Sequence, residues 1–426
     1  MSSSSSFAIA IDLGTTTIAA ALVEPETGAV LGRSGSLNPQ RRFGADVVAR
    51  LTHAGRGEAE RRELQACVNL ELERLSCQVA AEAGVELAAI DRIALAGNPT
   101  MAHLLLGLPI DTLAHPPYRP RITTGHRLGT GQVGWTADLP LYVFPSPGGF
   151  VGGDLVAFLF AEIVSQSPEP RAQSPRLYLD LGTNGEMALW SGEQWFATSV
   201  AAGPAFEGGN LACGMAALAG AIERVAIDGD RLVCSVIGGG LPAGICGSAV
   251  LEAVAALLQA EIIDRSGRLK SPAEIPTNLA ARVQEVNGQL VFVLHRDARH
   301  LVFLGQEDIR QLQLAKGAVR AGIEVLLERA RIQHDAVQEV VLTGSFGASL
   351  TLASLKSVGI LTPNMVKNGR FVREGALAGV ARSLVSTAAV DAVEELASAL
   401  KIIPLSGTPA FEKQFLQQLD FPEIRS

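Results

Sequence analysis

Two short stretches of this chain carry residue types suited to anion and metal chemistry, and they are nearly the same stretch. Asp12-Leu13-Gly14-Thr15-Thr16-Thr17 closes one apolar run, and Asp180-Leu181-Gly182-Thr183-Asn184-Gly185 closes another 168 residues later. Each aspartate offers Mg²⁺ a hard oxygen. A glycine in such a turn permits backbone angles that other residues resist, and Thr hydroxyls with successive turn N–H groups form a concavity suited to an oxyanion such as phosphate. One copy alone is better read as a polar hairpin tip. Two copies at equivalent places point to a pair of homologous lobes whose loops hold one nucleotide's phosphates from both sides.

The elements that must position these turns are legible around them. Each turn lies between β-rich apolar runs, the return runs ending at Glu26-Thr27-Gly28 and at Ser191-Gly192, which predicts a strand, a tight turn and a returning strand in each copy. After the first hairpin, a polar loop with Pro39 and Gly44 leads into a short helix from about Asp46. Residues from Glu58 to Ala83 read as a long helix, with Leu64, Val68, Leu72, Leu75 and Val79 at spacings of three and four. A buried strand ending at Ala96 meets a Gly97-Asn98-Pro99 turn and a helix near Thr100, the pattern of a ligand-binding edge in an α/β sheet. A further helix starts at about Asp154. The polar segment before the second hairpin places a boundary near residue 174, giving a flexible tail over 1–6, a first lobe over 7–174 and a larger second lobe over 175–426.

Composition bounds the function classes. The chain has 426 residues, 48% hydrophobic and 18% charged, which describes a globular enzyme of two α/β domains. A formal net charge of −8 with no basic cluster argues against a nucleic-acid partner. The five cysteines stand at least ten residues apart, which is neither a disulfide framework nor a cluster motif, and His295 and His300 read as surface residues. Met1 to Ser6 lacks the features of a signal peptide, and the apolar stretch from Ala249 to Ile263 is too short and too interrupted by Glu252, Gln259 and Glu261 to cross a bilayer. A cytosolic protein without a membrane partner is expected.

A third glycine turn completes the pattern. Residues from Gln306 to Ile332 read as a helix with Ile309, Leu312, Val319, Ile323 and Leu326 on one face, followed by a buried strand from Val337 to Leu342 that ends in Gly344-Ser345-Phe346-Gly347. That turn is a candidate base and ribose slot, and by itself is equally well read as an ordinary strand-to-helix turn. The order of phosphate loop, phosphate loop and Gly-rich adenosine loop is that of the actin, sugar kinase and heat-shock ATPase superfamily. Neither a P-loop nor a dinucleotide-binding fingerprint is present. The expected fold is α/β: a two-lobed actin-like ATPase with duplicated ribonuclease H-like lobes and a nucleotide cleft between them.

The blocks "LNPQRRFGADVVAR", "AGNPTMAHLLLG", "LDLGTNGEM", "AAGPAFEGGNLACGMAALAGAIERV", "ICGSAVLEAVAALL", "DIRQLQLAKGAVRAGIEVLL" and "VVLTGSFGASL" narrow this further. In this order they resemble the ATPase portion of the reductive activators of corrinoid proteins, over nearly the whole chain after residue 6. The resemblance implies ATP and Mg²⁺ as cofactors and ATP-dependent conversion of a partner corrinoid protein from Co(II) to Co(I). It also implies roles. Asp12 and Asp180 would hold Mg²⁺, mostly through its waters; Gly14, Thr15, Thr16 and Thr17 from one lobe, and Gly182, Thr183, Asn184 and Gly185 from the other, would contact phosphate. Glu186 would position the attacking water, or else be solvated at the start of a return strand. Glu207, Gly208 and Gly209 are candidate nucleotide or hinge contacts, and Lys316 and Arg320 would reach the adenosine beside Gly344, Ser345, Phe346 and Gly347, or else form a solvated helix face.

The chain departs from such activators in one respect. They usually carry an iron–sulfur domain before the ATPase part, whereas the first hairpin here begins at residue 7, and Thr198-Ser199 stand where many relatives carry a cysteine. No iron–sulfur cluster is expected in this chain; a separate ferredoxin-like donor is, and a homodimer is compatible with the resemblance. Cys213 reads as a buried, unreactive thiol, with a redox role at a subunit interface as the alternative. Two other classes stay open: a small-molecule kinase on the same scaffold, with Asp46 as its candidate base, and a nucleotide-dependent scaffold.

Overall fold

The computed structural model describes residues 6–116, 118–164, 174–344 and 350–423. The tail residues before Ser6, and Ser345, Phe346 and Gly347 of the third glycine turn, lie outside the described residues. The chain forms two compact units, one of residues 1–173, 190–199 and 372–404, the other of 174–189, 200–371 and 405–426. A linear division at 174 assigns 190–199 and 372–404 to the second lobe; in the structure they belong with the first unit.

The first unit is built on a six-stranded sheet of β1 (Phe7–Leu13), β2 (Thr17–Glu24), β3 (Ala29–Leu37), β4 (Ile90–Gly97), β5 (His126–Gly129) and β6 (Pro140–Val143), in the order β3-β2-β1-β4-β6-β5. β1 runs antiparallel to β2 and parallel to β4, so the residues around Asp12 lie at the sheet's centre. The sequence reading stops the hairpin at Gly28 and misses β3. That strand alternates between exposed and half-buried residues, as an edge strand does, and offers no apolar run to find. α1 (Val47–Ala54), α2 (Glu58–Glu82) and α3 (Pro99–Leu106) cover one face. Leu64, Val68, Leu72, Leu75 and Val79 of α2 are fully buried in this core, as their spacing requires.

Helices Gly153–Val164 and Gly375–Ser383 pack on one another, and the second also lies against β1, β2 and β4. The returning segment is fastened by polar bonds. Glu394 accepts from the Tyr142 hydroxyl at 2.9 Å and from the Gly125 N–H at 3.0 Å, and Thr198 Oγ1 donates to the Ile403 carbonyl at 2.7 Å.

The second unit repeats the central motif. β7 (Arg176–Leu181) neighbours β8 (Gly185–Trp190) on one side and, on the other, the parallel strand Glu339–Gly344, which in turn pairs with Gly369–Phe371. The helix Gln306–Ala330 is largely buried, and the C-terminal helix Pro409–Gln417 packs on it. Two three-stranded sheets, one over residues 221–245 and one over 283–305, complete the unit.

Candidate functional site

Strand register places the two turns at corresponding points of their units. In the first, Asp12 is level with Ala96 and Leu13 with Gly97 of the parallel neighbour. In the second, Asp180 is level with Thr343 and Leu181 with Gly344. Each turn therefore leaves the carboxyl end of a central strand beside a parallel strand that ends in glycine. Ligands of open α/β sheets bind at such ends.

In the first turn, a Cβ on Gly14 would lie 2.6 Å from the Thr17 carbonyl oxygen, so only glycine allows this bend. The three carbonyls that follow one another here are all engaged. Asn38 Nδ2 donates to the Gly14 carbonyl at 2.8 Å, Arg50 Nη2 to that of Thr15 at 2.6 Å, and the Asn38 backbone N–H to that of Thr16 at 2.9 Å. Asn98, the cap of α3, also donates to Thr15 Oγ1 at 3.0 Å. In a planar trans peptide the C=O and the following N–H point in opposite directions. The N–H groups of Thr15, Thr16 and Thr17 consequently point away from the Asn38 and Arg50 donors on the preceding carbonyls.

Asp12 lies at the entry to this turn, only partly exposed. Desolvation first, then the nearby carboxylates of Asp154 and Glu374, push its pKa up to about 7. Asp154 sits in the first turn of helix Gly153–Val164, and Glu374 caps helix Gly375–Ser383 in the left-handed region at φ 50°. Three carboxylates gathered at one point offer hard oxygens to a divalent cation. Among the described residues, no group of three or more His, Cys, Asp or Glu is arranged to hold a metal ion by itself. Carboxylate oxygens of this kind would fit Mg²⁺ kept partly hydrated.

The second turn is braced differently. Glu207 accepts from the Thr183 N–H at 3.2 Å and from Thr183 Oγ1 at 2.8 Å, while the Thr183 carbonyl accepts from the Gly203 N–H at 3.0 Å. Glu207 ends a short 3-10 turn, Pro204–Glu207, flanked by Gly203 and Gly208, both at positive φ. Gly185 is fixed by space, since a Cβ there would meet Val200 Cγ2 at 2.9 Å. Glu186 is 4% exposed, so the alternative reading of it as a solvated carboxylate does not hold: β8 points it into the protein.

Lys316 and Arg320 are not a solvated helix face either. Both are buried. Lys316 Nζ donates to the carbonyls of Gln418, at 2.6 Å, and Asp420, and lies 5.1 Å from the Phe421 ring centroid; Arg320 bonds Glu324 and, at 3.3 Å, the Ile360 carbonyl. Burial lowers the Lys316 pKa to about 8. The helix periodicity could not foretell this, because the partners of Lys316 come from about 100 residues downstream and the Ile360 carbonyl that holds Arg320 from 40.

Asp46 accepts from the Ala49 N–H at 2.8 Å as the cap of α1, which gives the candidate kinase base a structural task. Cys213 is half-buried with Sγ 3.6 Å from the Leu301 carbonyl, and burial pushes its thiol pKa up, as an unreactive thiol requires. His295 and His300 both face Asp297, at 2.9 and 3.6 Å. Sequence reasoning placed Asn98 at a ligand-binding edge but missed Asn38, Arg50, Glu374 and the approach of Asp154 to Asp12. Asn38 and Arg50 stand in the "LNPQRRFGADVVAR" block, but no spacing says that Arg50 folds back onto Thr15.

A duplicated parallel strand pair with an Asp-Leu-Gly-Thr turn at the same register in each unit is the mark of an actin-like ATPase. Residues 174–426 match the family described as the C-terminal domain of RACo, the ASKHA domain, and residues 7–167 match the RACo middle region. This chain belongs to the RACo family. It is similar to the corrinoid activation enzyme RamQ of Eubacterium limosum, 30% identical over 428 residues, covering 97% of this chain and 70% of that protein. It is also similar to the [Co(II) methylated amine-specific corrinoid protein] reductase of Methanosarcina barkeri, 25% identical over 308 residues, covering 65% of this chain and 52% of that one. A solved reductive activator for a corrinoid, iron-sulfur protein superposes with a TM-score of 0.87 at 31% identity, covering 99% of this chain and 67% of that one. Among the described residues, no helix is long and apolar enough to cross a membrane.

Proposed function

We propose that this chain is the ATP-using part of a reductive activator that drives a partner corrinoid protein from Co(II) to Co(I). The observation that carries this reading is membership of the RACo family together with the paired Asp-Leu-Gly-Thr turns. The relatives' names supply the client: corrinoid activation for one, reduction of a Co(II) corrinoid protein for another.

Each step is assigned to residues as a proposal. The Gly14–Thr17 amides take phosphate oxygens of ATP, and Gly182, Thr183, Asn184 and Gly185 do the same from the second turn. Asp12 and Asp180 hold the water shell of Mg²⁺, which when bound offsets the phosphate charge that builds during phosphoryl transfer. Glu207 with Gly208 and Gly209 adjusts the second turn, Glu186 orients the attacking water, and Gly344 begins the adenosine contact. Lys316 and Arg320 could reach adenosine only by exchanging their present partners.

Reduction adds one electron to the cobalt of the partner. A separate low-potential ferredoxin-like donor supplies it, and differential binding of the corrinoid protein in ATP-bound and ATP-free forms supplies the free energy. The reaction is placed in the cytoplasm. To test the reading, Co(II) corrinoid protein encoded beside this gene is mixed anaerobically with this chain and a reduced ferredoxin, and the corrinoid spectrum is followed. Co(I) should form with ATP, and only slowly without it or with Asp12→Ala. Equal Co(I) yield with and without ATP sinks the proposal and returns the kinase reading, which predicts phosphate transfer to a small acceptor instead.

A further inference from the structure

We propose that Arg50 is a positioning residue for phosphate: a buried cation behind the first turn that aims and polarises its amides toward the polyphosphate of a nucleotide. The proposal rests on the ATP reading above and adds a residue and a mechanism to it.

Arg50 is 0% exposed and heads the largest fully buried side chains. Its guanidinium reaches 35 positions back in sequence to the Thr15 carbonyl, at 2.6 Å, while Nε holds the Gly44 carbonyl at 3.0 Å and Nη1 the Gln40 amide oxygen at 3.4 Å. Gln40 is in turn fixed to the Leu64 carbonyl of α2 at 3.0 Å. With Asn38 on the Gly14 and Thr16 carbonyls, every peptide of the turn is oriented from one side.

Orientation is half of the effect. A cation bonded to the Thr15 carbonyl draws charge along that peptide and makes the Thr16 N–H a stronger donor, because hydrogen bonds in series reinforce one another in a low dielectric. The other half is charge. Asp154 and Glu374, whose charge reaches Asp12, place negative charge at the entry of the turn, which opposes an approaching anion. A guanidinium, always charged, compensates from behind without contacting the ligand. If Arg50 were only a staple between α1 and the sheet, its loss would affect a nucleoside and a nucleotide alike.

The experiment measures Kd of the full chain for ATP, ADP and adenosine, in Mg²⁺, for wild type, Arg50→Met, Arg50→Lys and Asn38→Ser, with melting curves as the folding control. Arg50→Met should weaken ATP about 10- to 100-fold, the range for losing a charged hydrogen bond, ADP less, and adenosine by under about twofold. Arg50→Lys keeps the charge and should fall between. Asn38→Ser keeps the cap of its 3-10 turn but loses the Gly14 carbonyl, and should weaken ATP a few-fold, about what a neutral hydrogen bond contributes; it serves if Arg50→Met does not fold. ATP affinity equal to wild type in both folded Arg50 variants, or equal loss for adenosine and ATP, overturns the proposal while leaving the ATP reading intact. Wild-type protein that binds neither ATP nor ADP overturns both.

Discussion

The two Asp-Leu-Gly-Thr turns repeat one another in sequence and in strand register, yet the groups that brace them carry opposite charge. The first has the cation Arg50 on its carbonyl side, which leaves its amides facing the other way. The second has the carboxylate of Glu207 on its amide side, bonded to the Thr183 N–H and hydroxyl that a phosphate would use. Duplication has preserved the strand, the bend and the aspartate, because the sheet dictates them. The bracing side chains come from outside the repeat and are free to differ. One turn is braced by a cation on its carbonyls, the other by a carboxylate on an amide and a hydroxyl.

The largest effect is expected from the feature the turns share. Asp12→Ala and Asp180→Ala should each lower ATP turnover by at least about 100-fold, since a lost metal ligand removes charge compensation from phosphoryl transfer. If one variant keeps wild-type turnover, the repeat is topological and only one turn serves the nucleotide.

Next comes stability. The folded chain holds the Asp12 proton up to about pH 7, against an ordinary aspartate value of 3.8. A raised acid pKa gives a contribution to stability that is complete below about pH 4 and is lost as pH rises through 7. Without divalent cation, wild type should therefore lose stability relative to Asp12→Asn between these limits, on the order of a few kcal/mol. Melting curves that stay parallel across the window would remove the carboxylate cluster from the argument.

A smaller effect, opposite in sign to that at Arg50, is expected at Glu207. Glu207→Gln keeps an acceptor for Thr183 and removes the negative charge, so ADP and ATP should bind a few-fold more tightly, about 1 kcal/mol or less. Weaker binding would mean that the carboxylate supports the turn rather than competing with phosphate.

The smallest effect on binding is expected from Lys316→Met. ATP affinity should stay within about twofold, while hydrogen exchange of the Phe421 amide accelerates as the carbonyls of Gln418 and Asp420 lose their donor. A tenfold loss of ATP affinity would show that Lys316 leaves these carbonyls for the nucleotide.

Much of this protein was readable from local sequence because local physics decides it. The periodicity of Leu64 to Val79 fixed a helix, the Asn98-Pro99 pair fixed a helix start, and Asp-Leu-Gly-Thr at the end of an apolar run fixed a strand and its bend. Only the tertiary structure decided what stands behind them. Whether Glu186 is solvated or buried, whether Lys316 faces water or the carbonyls of Gln418 and Asp420, and whether residues 372–404 stay with the second lobe or return to the first depend on segments far away in sequence. So does the meeting of Arg50 with Thr15. Periodicity records which face of an element is apolar; a buried polar residue breaks that record, and its partner is chosen by how the elements pack.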